Sequence, residues 1–277
     1  MSKTNLIIAG VLVFTLIAGG FAFLKFNKKP QADTPAPAKR QVINALPISE
    51  RPFVALFPHE SNKLITLLLD KPGNLPELTI DIEYLSGNAL KGGRTTISLP
   101  TELPHTQAFL LGSCSSGGKC SFDRDITTGT IKTKLEKSDE IHVLKSNYVF
   151  VDGPSATTDQ KLRFEPTKYS ENAILGYSHG YLETFDGEIA SEPFLITSSS
   201  PKAVSGVITI ISGDANGISY YDGSSYAPLT VEKENNEISI EINLKPWSRE
   251  VTIIRDDLKG ATEDTTLYLL GPFIPTK

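Results

Sequence analysis

The sequence predicts a mainly β protein: an N-terminal transmembrane helix followed by two β-sandwich-like domains of the immunoglobulin or fibronectin kind. Three observations carry this. Residues 6–24 are 19 consecutive positions without a charge. From Arg51 onward, apolar residues recur with a period of two, the spacing that puts every second side chain on one sheet face. Clusters of Gly, Asp and Asn interrupt that rhythm at short intervals, as turns between strands require.

The first element is "LIIAGVLVFTLIAGGFAFL", residues 6–24. At about 1.5 Å per residue it reaches roughly 28 Å, the thickness of a bilayer's hydrocarbon core. It lacks the polar face that a helix on a soluble core presents. A cleaved signal peptide, processed near Gly20 and Ala22, is the alternative reading. The run outlasts a typical signal core and Phe21, Phe23 and Leu24 continue it, so residues 1–29 are read as a stub and retained anchor whose partner is the lipid bilayer. Flanking charge alone, Lys3 against Lys25, Lys28 and Lys29, places the C-terminal bulk in the cytoplasm. The cysteine pair and the β-rich character argue for the opposite side. The expected localisation is a single-pass membrane protein with an extracytoplasmic head. Residues 30–44 follow as a linker, where Pro30, Pro35 and Pro37 favour an extended, polyproline-like tether.

Charge separates the same two regions. The 277 residues carry a net charge of −5. Residues 1–40 hold six cations and one anion, Asp33, which leaves 21 basic and 31 acidic residues, a net −10, in the rest. Such a head repels phosphate backbones, so nucleic acid is not an expected partner.

In the head, "ELTIDIEYL" sets Leu78, Ile80, Ile82 and Tyr84 against Thr79, Asp81 and Glu83, the pattern of a half-buried strand. "RTTISL", "TIKTKLE", "KLRFE", "EISIEINL" and "EVTII" repeat it, while "KLITLLLD" and "SGVITIIS" are fuller apolar runs suited to a sandwich interior. The best helical stretch outside the anchor, "YLETFDG", stops at Gly187. A boundary near "DGPSATTDQ" divides the head into residues 45–165 and 166–277, each the size of one sandwich. The openings "ERPFVALF" and "SEPFLITS" each precede an apolar strand, a faint echo between the halves.

The two cysteines lie in "LLGSCSSGGKC", residues 110–120. The phosphate-loop pattern fails on spacing, on Cys120 in place of a hydroxyl and on the absence of a following helix. Zinc would lack ligands, and a redox pair lacks the two-residue spacing. The expected state is a Cys114–Cys120 disulfide across the loop, with two free thiols as the alternative. "GYSHG" matches G-x-S-x-G around Ser178, but His179 is the last histidine, so the order Ser, acid, His cannot be completed and a Gly-rich turn is expected. "SGDANGISYYDG" offers Asp214, Asn216 and Asp222 as candidate calcium ligands, though it departs from the twelve-residue calcium loop at Ile218 and Ser225. Hairpin Asp and Asn otherwise serve the local backbone. Tyr220, Tyr221 and Tyr226 are a candidate binding surface for a protein or glycan, with burial in a sandwich core as the competing and favoured reading.

The anchor, the tether and "GSCSSGGKC" between β runs together resemble a group of membrane-anchored β-rich proteins of candidate-phyla bacteria. The resemblance spans residues 51–150 and implies an external, disulfide-bearing head without assigning an activity. The function expected is a cell-envelope interaction or structural module with no catalytic site and no cofactor. The alternatives are a serine hydrolase using Ser178 and a calcium-dependent adhesion module.

Overall fold

The structure, a computed structural model, describes residues 39–72, 75–116, 119–137, 139–169, 172–255 and 258–277. The predicted anchor, residues 6–24, and residues 30–38 of the linker lie outside these. Among the described residues no helix is long and apolar enough to cross a membrane.

The described chain opens with β1 (Arg40–Ile43), a 3-10 turn (Ile48–Glu50) and the antiparallel pair β2 (Phe53–Pro58) and β3 (Leu64–Asp70). Next come β4 (Glu77–Ser86), β5 (Ala89–Ser98), β6 (His105–Leu110), and the short pair β7 (Gly112–Cys114) and β8 (Cys120–Phe122). β9 (Ile126–Lys137), β10 (Glu140–Val151), β11 (Ser155–Ala156), β12 (Leu162–Lys168) and β13 (Ala173–Tyr177) lead to β14 (Phe194–Ser198). The rest comprises β15 (Val204–Ile211), β16 (Gly217–Tyr221), β17 (Tyr226–Leu229), β18 (Glu232–Glu234), β19 (Glu237–Leu244), β20 (Trp247–Arg255) and β21 (Ala261–Thr276). The protein is mainly β, and every stretch read as alternating falls on a strand. "YLETFDG" is instead irregular chain between β13 and β14.

Eleven strands form one sheet, ordered β17-β16-β21-β14-β13-β10-β9-β4-β5, with β1 added to β10 and β20 to β21. Five more form β11-β12-β15-β19-β18, three form β2-β3-β6, and β7 and β8 pair with each other. The three-stranded sheet is covered on both faces, which is why "FVALFP" is apolar and buried throughout. Val54, Leu56, Ile65, Leu67 and Leu69 pack with Leu78, Ile80, Ile82, Ile131 and Leu135 of β4 and β9. Phe53, Ala55, Phe57 and Leu68 pack the other way, with Leu195, Tyr221, Leu267 and Leu269. The five-stranded sheet has one covered face. Phe164, Ile208, Ile210, Ile238 and Ile240 meet Val149, Leu175, Phe194 and Phe273 of the large sheet.

"SGVITIIS" therefore departs from its reading as an interior strand. β15 buries Val204, Ile208 and Ile210 but turns Val207 and Ile211 outward, because nothing covers its second face. The domain reading changes as well. Residues 40–43, assigned to the linker, form β1 and pair in parallel with Glu140–Val143 of β10. The expected boundary at residues 165 and 166 falls inside β12, and β10 of the first half pairs directly with β13 of the second. Residues 40–277 form one compact unit in which the two halves share a sheet.

Double-sided burial of β3 makes a quantitative demand. Leu68→Ala should cost about 2–5 kcal/mol, the range for truncating a packed core leucine. Ile254→Ala, at a position 54% exposed, should stay within about 0.5 kcal/mol. Urea unfolding of both variants checks the contrast.

Candidate functional site

The large sheet is left partly bare where the five-stranded sheet stops covering it. On β10, Val149 and Val151 are roofed by that smaller sheet, whereas Lys145 and Asn147 on the same face are not. An open cleft of about 520 Å³ results. Its walls are the end of β1 with Ile43, the 3-10 turn with Ile48, the turn before β12 with Asp159 and Lys161, the end of β15 with Ile210 and Ile211, and Tyr177 with Glu192. The volume suits a small ligand, and the lining mixes four isoleucines with charged and amide side chains.

A polar network holds one wall. Asn44, in a left-handed conformation with φ of 49°, stands in for a strand partner of Lys145. Its Nδ2 donates to the Lys145 carbonyl at 3.2 Å and its Oδ1 accepts the Lys145 N–H at 2.8 Å. The same Nδ2 donates to Glu192 Oε1 at 3.1 Å. Arg51, buried, donates to that oxygen at 3.1 Å and to the carbonyls of Leu46 and Asn44, each at 2.8 Å. A buried guanidinium is tolerable only when paired and hydrogen-bonded in this way. Tyr177 reaches the Thr157 hydroxyl; burial, then the nearby Asp159, raises its phenol, so it stays protonated near neutrality.

"GYSHG" supplies the layer beneath. A side chain on Gly176 would strike Tyr148, its partner on β10, at 2.8 Å, and one on Gly180 would strike the Arg51 carbonyl at 2.4 Å. Both glycines permit close backbone approach. Ser178 is fully buried; its hydroxyl donates to the Gly180 carbonyl at 2.6 Å and its N–H to Pro193. The segment leaves a strand and enters irregular chain, so no elbow presents the hydroxyl. His179 shares a 2.8 Å hydrogen bond with Ser146, while its Nε2 is buried with no partner among the described residues. Burial, then the charge of Arg51, holds the ring neutral and lowers its pKa to about 3.

The other predicted site residues lie elsewhere. Cys114 and Cys120 face each other on β7 and β8 and form a disulfide. Asn216 and Asp222 flank β16, roughly 20 Å apart at about 3.3 Å per residue, so they do not form the candidate calcium site with Asp214. Asn216 Oδ1 instead accepts from the Lys233 ammonium at 2.7 Å, and Asp222 Oδ1 accepts the N–H groups of Ser224 and Ser225 at 2.8 and 3.0 Å. Among the described residues no three His, Cys, Asp or Glu side chains converge as a metal site. Tyr220 and Tyr221 are buried on opposite faces of β16, against Phe273 and Trp247. The Tyr226 hydroxyl donates to the Leu182 carbonyl at 2.8 Å. These tyrosines are packed rather than presented, which replaces the binding-surface reading.

Comparison with protein-family models and with curated proteins finds no match to this chain. Asn44, Arg51, Lys145 and Glu192 had no motif to mark them. The one signal was the echo, since Arg51 and Glu192 are the residues preceding Pro-Phe in "RPF" and "EPF", and they are each other's ion-pair partners.

The neutral His179 makes stability depend on pH. The unfolded ring takes a proton near its ordinary 6.5 and the folded ring only near 3, so between those values the unfolded state binds more protons. Stability is therefore complete above about 6.5 and falls on acidification, by up to about 1.4 kcal/mol per pH unit. His105, also lowered by burial, adds to the same trend. His179→Asn should lower stability at pH 7 and flatten the fall between pH 6.5 and 4.5. Urea midpoints across that range check it.

Proposed function

We propose that this protein is a single-pass, membrane-tethered envelope protein whose head, two sandwich-like layers sharing one sheet, lies outside the cytoplasm and binds a partner. The observation that carries the reading is the Cys114–Cys120 disulfide. Structural disulfides persist in oxidising compartments and are rare where thioredoxin and glutathione keep thiols reduced. A cysteine bridge on the head, joined to a 19-residue uncharged run by a proline-rich tether, favours export over the orientation suggested by Lys25, Lys28 and Lys29. The cleft between β1, β10 and β15 is the proposed binding site. A binding role is preferred to hydrolysis because the Ser178 hydroxyl is buried and engaged by a backbone carbonyl.

Peptide mass mapping of membranes alkylated without prior reduction tests the compartment. The expected product is the cross-linked Cys114–Cys120 peptide. Two alkylated thiols would place the head in the cytoplasm and overturn the reading.

A further inference from the structure

The cleft has a chemical bias of its own. Four isoleucines line it, Ile43, Ile48, Ile210 and Ile211. Ile43 is 69% exposed and Ile211 37%, the latter on a strand that buries Val204, Ile208 and, at 4% exposure, Ile210. Exposed aliphatic surface is unremarkable when scattered, but here it gathers in one concavity. Two ammonium groups, Lys145 and Lys161, share that concavity. Neither has an ion-pair or side-chain hydrogen-bond partner among the described residues.

Lys145 stands out further because of its strand neighbour. It lies directly opposite Lys132 in the β9–β10 ladder, and like charges facing each other across a sheet are unfavourable. Elsewhere on this face the lysines are answered. Both Glu83 oxygens lie 2.7 Å from Lys132, and Asp81 takes Lys134 at 3.3 Å together with Arg94. Lys145 alone of these is left for the cleft. Neither carboxylate lining the cleft pairs with these two ammonium groups. Glu192 Oε1 accepts from Arg51 and Asn44, and Asp159 Oδ1 accepts the Thr157 hydroxyl at 2.6 Å and the Lys161 backbone N–H at 3.2 Å.

We infer that the cleft binds a free aliphatic carboxylate, its chain against the four isoleucines and its carboxylate between Lys145 and Lys161. This rests on reading the cleft as the binding site and adds the class of ligand. A concave site with its charges inside favours a single small amphiphile over a flat bilayer surface. The bound carboxylate would also relieve the repulsion between Lys145 and Lys132.

The test uses the full-length chain in phosphatidylcholine nanodiscs, with isoleucine δ1 methyl groups labelled for NMR. Octanoate is titrated, and uncharged octanamide serves as its isostere. The expected result is saturable shifts at Ile43, Ile48, Ile210 and Ile211, with the methyls of Ile80 and Ile131 unmoved as a report on the intact core. Octanamide should bind at least about tenfold more weakly, as should octanoate to the Lys145→Gln, Lys161→Gln double variant, since charge-assisted contacts are lost in both. Equal binding of octanoate and octanamide, an unaffected double variant, or no shift at the four cleft methyls would each overturn the inference. Shifts that arise only when phosphatidylglycerol is added to the discs would assign the face to the lipid surface and overturn it too. The disulfide map reads the compartment and this titration reads the cleft, so failure of one is distinguishable from failure of the other.

Discussion

The architecture depends on a hairpin that cannot face water on either side. β2 and β3 carry large apolar residues at consecutive positions, so alternation sends half of them each way. Every kilocalorie from burying them requires two covers. The long sheet supplies both, β4 and β9 on one face and the β14, β20 and β21 region on the other. A chain arranged as two independent sandwiches could not meet that demand at the same hairpin, since the second cover comes from the last strands of the chain. The sharing of one sheet between the halves follows from this.

The cleft is a by-product of the same geometry. Covering sheets end where their strands end, and the five-stranded sheet ends at Ile210 and Ile211, short of Lys145 and Asn147. At that margin the backbone edge of β10 passes from β1 to β13. The Asn44 side chain fills the gap, and Arg51 with Glu192 ties the two Pro-Phe strand openings together beneath it. Buried charge at such a junction is weak evidence of stability, but it fixes where the strands begin. The unpaired lysines lie just outside this clasp.

Much of this protein is legible in its residues alone. Period-two alternation located β4, β9, β12, β19 and β20, because one-sided burial writes itself directly into sequence. The seven-residue spacing from Cys114 to Cys120, counted inclusively, sufficed for the staple, because so short a loop brings the thiols within reach whatever the rest of the fold does. Gly176 and Gly180 were visible as a motif, yet their reason was not. Each makes room for a backbone or side chain that lies far away in sequence, Tyr148 and Arg51. "GYSHG" therefore reads identically whether it serves catalysis or packing.

Tertiary structure alone decided matters that depend on what covers a strand. "LITLLLD" and "VITII" have the same composition by eye, but the first is buried on both faces and the second on one. No local property distinguishes them, since burial is set by sheets built from distant strands. The sequence determined the β class, the turns, the charge separation between the two ends and the disulfide, all of which rest on interactions over a few residues. The shared sheet, the packed tyrosines of β16, the Arg51–Glu192 pair and the cleft arose only when segments distant in sequence came together, 141 residues apart for Arg51 and Glu192, because long-range pairing has no signature within any one segment.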